Sequence, residues 1–238
     1  MEEKKTHGIT SNVLKLIACA SMLCDHTGYV LMDDNAIMRA VGRLAFPIFV
    51  FLLVEGYRYT SNVKRYMLRL FAFALISEVP FDLAFSGRVF DIKYQNIFFT
   101  LAAGLIVIRL FDMAENEDQV KQIYLYAAIV AIAVAAEICG FDYGGGGIII
   151  ISIFYKITPA YGVPFDRSSM RKTAKNGAES ALIYFLFYGF SELYALFALV
   201  PISFYNGRRG IKNRAVQYAF YMFYPLHLLC IYLLTRYC

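Results

Sequence analysis

Apolar residues in this chain come in blocks of about 15 to 20, long enough to cross a bilayer as helices, with short polar connectors between them. That pattern leaves few folds open. A soluble domain of 238 residues does not reach 59% hydrophobic residues with only 17% charged and a mean hydropathy of +0.53. No block alternates in the manner of an outer-membrane strand. The sequence therefore reads as an all-α, polytopic transmembrane helical bundle, a single integral-membrane domain over residues 1–238. The first block follows MEEKKTHGITSN without a small-x-small cleavage site, so it reads as a retained first helix.

The expected spans are 13–32, 41–57, 66–85, 96–111, 122–139, 144–157, 178–190, 192–205 and 217–235. Their number turns on AESALIYFLFYGFSELYALFALVPISFYNG, which is one long helix or two short ones broken near Gly189 to Glu192. Charge decides between them. Basic connectors lie at 1–12 (Lys4, Lys5), 58–69 (Arg58, Lys64, Arg65, Arg69), 156–177 (Lys156, Arg167, Arg171, Lys172, Lys175) and 206–214 (Arg208, Arg209, Lys212, Arg214). Nine spans put all four on one side, as the positive-inside bias requires, with the amino terminus cytoplasmic. The net charge of +5 is then an orientation signal. Nucleic acid is not an expected partner, because no folded soluble part is read to bind it. The five cysteines have no ligand-like spacing and read as packing residues, so no metal site is expected. The run DYGGGG at 142–147 reads as a flexible turn, lacking the spacing of a phosphate-binding loop.

A charge at bilayer depth costs about 2.5 to 3.5 kcal/mol, so each one needs a partner, a wet cavity or a task. In or near the expected spans lie Asp25, His26, Arg43, Glu55, Arg58, Glu78, Asp82, Arg109, Glu137, Glu192 and His227. Arg109, Glu192 and Arg58 sit near span ends and can snorkel. Glu78 and Asp82 share a helix face around Pro80, and Glu55 and Arg58 are spaced to pair within one helix. Asp25 and His26 project about 100° apart and so address different neighbours. His26 is the side chain best suited to proton transfer near neutral pH.

Ten residues separate Lys15 from His26, a spacing that resembles the R/K-x10-H motif of membrane acyltransferases. The segments LKLIACASMLCDHTGY, GRLAFPIFVFLLVEGYRYT, LRLFAFALISEVPFDLAF, QNIFFTLAAGL, YNGRRG and FYPLHLL together resemble the TraX family, whose named activity is amino-terminal acetylation of conjugative pilin. The middle, 112–177, carries the resemblance least. It implies a bacterial inner-membrane acetyltransferase that moves an acetyl group from cytoplasmic acetyl-CoA to an amine or hydroxyl acceptor. That acceptor is a peptide amino terminus, a glycan or a small molecule. Catalysis then falls to His26, with Asp25 and Glu78 or Asp82 as orienting carboxylates. Lys15, Arg43, Arg58, Arg208 and Arg209 are the expected donor-binding cations, and Glu55, Asn96, Tyr224 and His227 the remaining polar lining. His26 serves either as base or as transient acetyl carrier. Asn96 and His227 also have plainer readings, as a helix cap and an interfacial packing histidine. The oligomeric state stays open.

Two other readings compete. A small proton-coupled permease would use the same buried ionisable residues, but it predicts duplicated halves, and none is evident. A non-enzymatic assembly or immunity protein would not require so many intramembrane charges.

Overall fold

The computed structural model describes residues 8–158 and 190–237. Every regular element among them is helical. In order these are α1 (Ser11–Val30), α2 (Ala36–Gly42), α3 (Ala45–Tyr59), α4 (Val63–Ser86), α5 (Ile97–Ala114), α6 (Gln119–Ile138) and α7 (Gly144–Ile157). A 3-10 helix (Phe190–Ala198), α8 (Leu199–Ser203) and α9 (Arg214–Tyr237) follow. Two isolated parallel bridges, Ile9 with Tyr205 and Gln95 with Phe141, are the only extended pairings among the described residues. The expected span 178–190, up to its last residue, and the connector 156–177 from residue 159 onward lie outside the described residues.

Short polar side chains set the helix starts. Asn35 accepts from the backbone N–H groups of Ile37 and Met38, Asn62 from Arg65, Asn96 from Phe98 and Asp118 from Lys121. Each satisfies donors that the first helical turn leaves open. Gly87 closes α4 at φ 69°, the left-handed conformation that glycine adopts without steric cost. Pro80 lies inside α4 and Pro225 inside α9.

Four helical stretches are long and apolar enough to cross a membrane: Ala36–Tyr59, Ile97–Ala114, Gln119–Ile138 and Arg214–Arg236. Gly144–Ile157 and Glu192–Ser203 are apolar but shorter. Helices α1 and α4 have the length, but charged residues interrupt them: Lys15 and Asp25 in the first, and Lys64, Arg65, Arg69, Glu78 and Asp82 in the second.

The described residues fall into two compact units. The first takes the described residues of Met1–Leu52 and Pro159–Phe220, the second those of Leu53–Thr158 and Tyr221–Cys238. In the first unit, fully buried Leu14 and Ala18 of α1, Ile48, Val50 and Phe51 of α3, and Ala198 form the interior, with Tyr205 almost fully buried. The rings of Phe51 and Tyr205 meet edge-on at 5.3 Å. In the second unit, Leu105, Val107 and Ile108 of α5 and Ile151 of α7 are fully buried. There the glycine run is not a flexible turn. Gly144 to Gly147 form the first turn of α7, and a Cβ on Gly145 would stand 2.8 Å from the carbonyl oxygen of Ala133 on α6. The Gly145 N–H donates to Glu137 at 2.8 Å. Glycine is used there for close packing of two helices.

Candidate functional site

The site residues expected from the sequence divide between the two units. Asp25, His26, Lys15, Arg43, Arg208 and Arg209 belong to the first. Glu55, Arg58, Glu78, Asp82, Asn96, Tyr224 and His227 belong to the second.

In the first unit, α1 carries both Lys15 and His26, eleven positions apart and so about three turns along nearly the same face, with about 16 Å of rise between them. His26 is buried. Its neighbour Asp25 turns toward α2, where Arg39 Nη1 donates to Asp25 Oδ2 at 2.7 Å. Arg39 Nε also pairs with Asp34 at 3.1 Å, and the guanidinium lies 5.0 Å from the Tyr29 ring centre. The next cation, Arg43, caps the carboxyl end of α2 and pairs with Glu192 of the 3-10 helix at 3.0 Å. Glu192, which reads in the sequence as a snorkelling end residue, is buried instead.

At the other end of α1 the loop Asn206–Asn213 closes over the first turn. The Ser11 and Asn12 N–H groups donate to the Arg208 and Arg209 carbonyls at 2.9 and 3.2 Å, and the Ser11 hydroxyl adds a bond to Arg209. Asn12 Nδ2 donates to the Ile211 carbonyl. Gly207 and Gly210 have φ of 72° and 84°, and a Cβ on Gly210 would meet Thr10 Oγ1 at 2.9 Å. This is why YNGRRG carries glycines on both sides of its arginine pair. The loop's backbone caps α1, and both arginines are exposed. Lys15 Nζ lies 5.4 Å from the Phe220 ring centre and within electrostatic range of Arg209.

The second unit holds a separate set of buried polar groups. Asn96 is fully buried, caps α5 through its oxygen, and donates through Nδ2 to Glu78 and to the Ala74 carbonyl, the latter at 2.8 Å. The capping role read from the sequence is thus present together with a bond to an expected site carboxylate. Glu78 Oε2 takes that bond, while Oε1 is buried without a hydrogen-bond partner. Asp82, one helical turn on, accepts from the Asp91 N–H at 2.8 Å. Glu55 is buried on α3, and Arg58 donates to the Tyr155 carbonyl at 2.7 Å with its guanidinium over the Tyr155 ring. His227 is buried in α9, where its Nδ1 lies 2.8 Å from the Phe223 carbonyl and its ring stacks on Phe223 at 4.8 Å. Tyr224 meets that ring edge-on at 5.6 Å and Phe98 at 5.3 Å.

Three features escape a reading by hydropathy. Arg39 lies in NAIMRAVG, before the expected second span, so it counts as connector rather than as the partner of Asp25. Glu192 sits at an expected span end. Asp112 accepts from both Tyr57 and Tyr155 hydroxyls, and no local spacing joins those three positions. Among the described residues no cluster of three or more His, Cys, Asp or Glu could hold a metal ion.

The sequence model of a family described as TraX protein matches residues 10–235. A probable fimbrial assembly protein FimC, serogroup H1, of Dichelobacter nodosus is 28% identical over 244 residues, covering 91% of this chain and 93% of that protein. No solved structure matches the chain.

Proposed function

The chain belongs to the TraX family, and from that premise we propose that it is a multi-pass acetyltransferase of the bacterial inner membrane, taking its acetyl group from cytoplasmic acetyl-CoA. The observation that carries the reading is the construction of α1. Its first turn is held by the loop that presents Arg208 and Arg209, and three turns further the same helix buries His26. The cations Lys15, Arg208 and Arg209 suit the phosphates of CoA, which favour multiple charge-assisted contacts. Arg43 and Arg58, also expected to bind the donor, are engaged by Glu192 and by the Tyr155 carbonyl, so they have a lesser part in this reading.

A buried imidazole suits either removal of a proton from the acceptor amine or hydroxyl, or transient carriage of the acetyl group. In the first route the acceptor's lone pair attacks the thioester carbonyl as its proton passes to His26, and CoA leaves as the thiol. In the second the neutral imidazole nitrogen attacks the thioester carbonyl and CoA leaves as the thiolate; the acceptor then displaces the imidazole from the acetyl group, and its proton passes to the thiolate. Glu78 and Asp82, the orienting carboxylates that the resemblance implies, belong to the second unit and take no step in either route. The relative from Dichelobacter nodosus, named for fimbrial assembly, favours a peptide acceptor over a glycan or small molecule.

The test uses membranes containing the full chain and labelled acetyl-CoA. The parent is expected to place label on endogenous acceptors, and His26→Ala and His26→Gln are both expected to abolish that transfer while acetyl-CoA binding persists. Glutamine preserves hydrogen bonding and approximate size but accepts no proton near neutral pH. Near-normal turnover in the glutamine variant, at matched expression, removes His26 from the chemistry. Uptake of label without covalent transfer supports a permease instead.

A further inference from the structure

Helix α2 is only seven residues long, yet it is fastened to its surroundings more tightly than a connector needs. Arg39 bridges two carboxylates, Asp25 on α1 at 2.7 Å and Asp34 in the intervening turn at 3.1 Å. That turn carries two consecutive non-glycine residues, Asp33 and Asp34, at φ of 47° and 58°. Such backbone persists where surrounding contacts over-determine it. Here the Arg39–Asp34 pair, the Asn35 side-chain cap and the Asn35 N–H donated to the Gly28 carbonyl at 2.9 Å do so.

Gly42 completes the grip. A Cβ at this position would stand 2.2 Å from both Cβ and Oδ1 of Asp25 and 2.5 Å from its Cγ, so the Asp25 carboxyl occupies the space that any other residue would fill. Asp25 Oδ1 is buried there with no hydrogen-bond partner, while Oδ2 is held by Arg39. The carboxylate is caught between a guanidinium and a bare backbone. Beyond Gly42, Arg43 and Glu192 tie the end of α2 to the 3-10 helix at 3.0 Å, within electrostatic range of the same carboxylate.

We propose that Arg39 and Gly42 are positioning residues that fix the rotation of α1 about its axis through Asp25, and so set the direction in which His26 points. Successive residues on a helix project about 100° apart, so locking Asp25 against α2 locks the azimuth of His26. A free α1 would share its rotation among several azimuths, and the imidazole would spend much of its time away from the reacting atoms. Misplacement of about 1 Å at a reacting group costs up to about 100-fold in rate. The claim about turnover rests on the acetyl-transfer reading above. The claim about the helix does not.

The experiment therefore has two arms on the full chain in membranes. The first measures label incorporation from acetyl-CoA into endogenous acceptors as donor concentration varies. Gly42→Ala and Arg39→Gln are expected to lower kcat about tenfold or more with KM for acetyl-CoA within about twofold. Arg39→Lys, which keeps the charge but not the two-pronged contact, is expected to fall between parent and Arg39→Gln. The second arm measures maleimide alkylation of a chain in which Cys24, beside Asp25, is the sole cysteine. Its rate is expected to rise severalfold in Gly42→Ala and Arg39→Gln. Should Gly42→Ala fail to accumulate, the two Arg39 variants carry both arms. Unchanged Cys24 reactivity overturns the clamp whatever the turnover. Changed reactivity with parental kcat overturns the positioning role. A parent that transfers no acetyl, but whose Cys24 responds as expected, defeats the acetyl-transfer reading and leaves the clamp standing.

Discussion

Asn96 carries two duties with one amide, and that makes it the residue where a small change has the largest expected cost. Its oxygen accepts from the Phe98 N–H at the start of α5, while its nitrogen donates to Glu78 and the Ala74 carbonyl. Asn96→Ala removes a helix cap, at about 1 kcal/mol, and strips partners from buried acceptors, at about 1 to 3 kcal/mol. A loss of about 2 to 4 kcal/mol is expected, read as a lower temperature of thermal unfolding in detergent against the parent. Asn96→Ser preserves the cap but does not reach Glu78, so it is expected to recover about the smaller share. Equal stability of Asn96→Ala and parent would refute the double role. The capping half of this role was legible from the residue type ahead of an apolar run. The bond to Glu78 was not, because hydrogen bonding between positions 18 apart depends on how two helices meet.

At the scale of elements, close packing in the second unit is set by glycine. A Cβ on Gly104 of α5 would lie 2.3 Å from the Cδ1 atom of Ile151 on α7. Gly104→Ala is therefore expected to destabilise by about 1 to 3 kcal/mol through overpacking. Ile151→Val, which shortens the opposing side chain, is expected to cost about 1 kcal/mol in the parent but to recover stability in the Gly104→Ala background. Additive losses in that cycle would rule out the contact. Hydropathy located the helices well: each expected span within the described residues falls on a helical segment, because apolar length alone demands internally satisfied backbone. It did not locate α2, whose Arg39 and surrounding polar turn read as a connector. It placed a span at 144–157, but glycine's low helix propensity made the run DYGGGG read as a turn rather than as a first helical turn built for close approach to α6.

For the molecule as a whole, the distribution of basic connectors predicts which side each end faces. A reporter fused after Gly207 is expected to read cytoplasmic and one fused at Cys238 extracytoplasmic, the arrangement that keeps all four basic connectors inside. Matching locations for the two fusions would exclude it. The charge count was readable from the chain alone, whereas the assignment of residues to two compact units was not, because it depends on pairings between distant segments. The loop over α1 is one of these. Ser11 and the carbonyl that accepts its hydroxyl are 198 positions apart, so the beginning of the first helix is finished by a segment made 198 residues later. At about 5 to 20 residues per second, α1 waits on the order of 10 to 40 seconds for that segment. Through this interval its amino-terminal donors have only solvent or other proteins as partners, which makes the nascent first helix a natural point for holding by chaperones or attack by proteases. Chains ending before Tyr205 are accordingly expected to be cleared from cells much faster than the 238-residue chain, a difference that pulse-chase labelling measures.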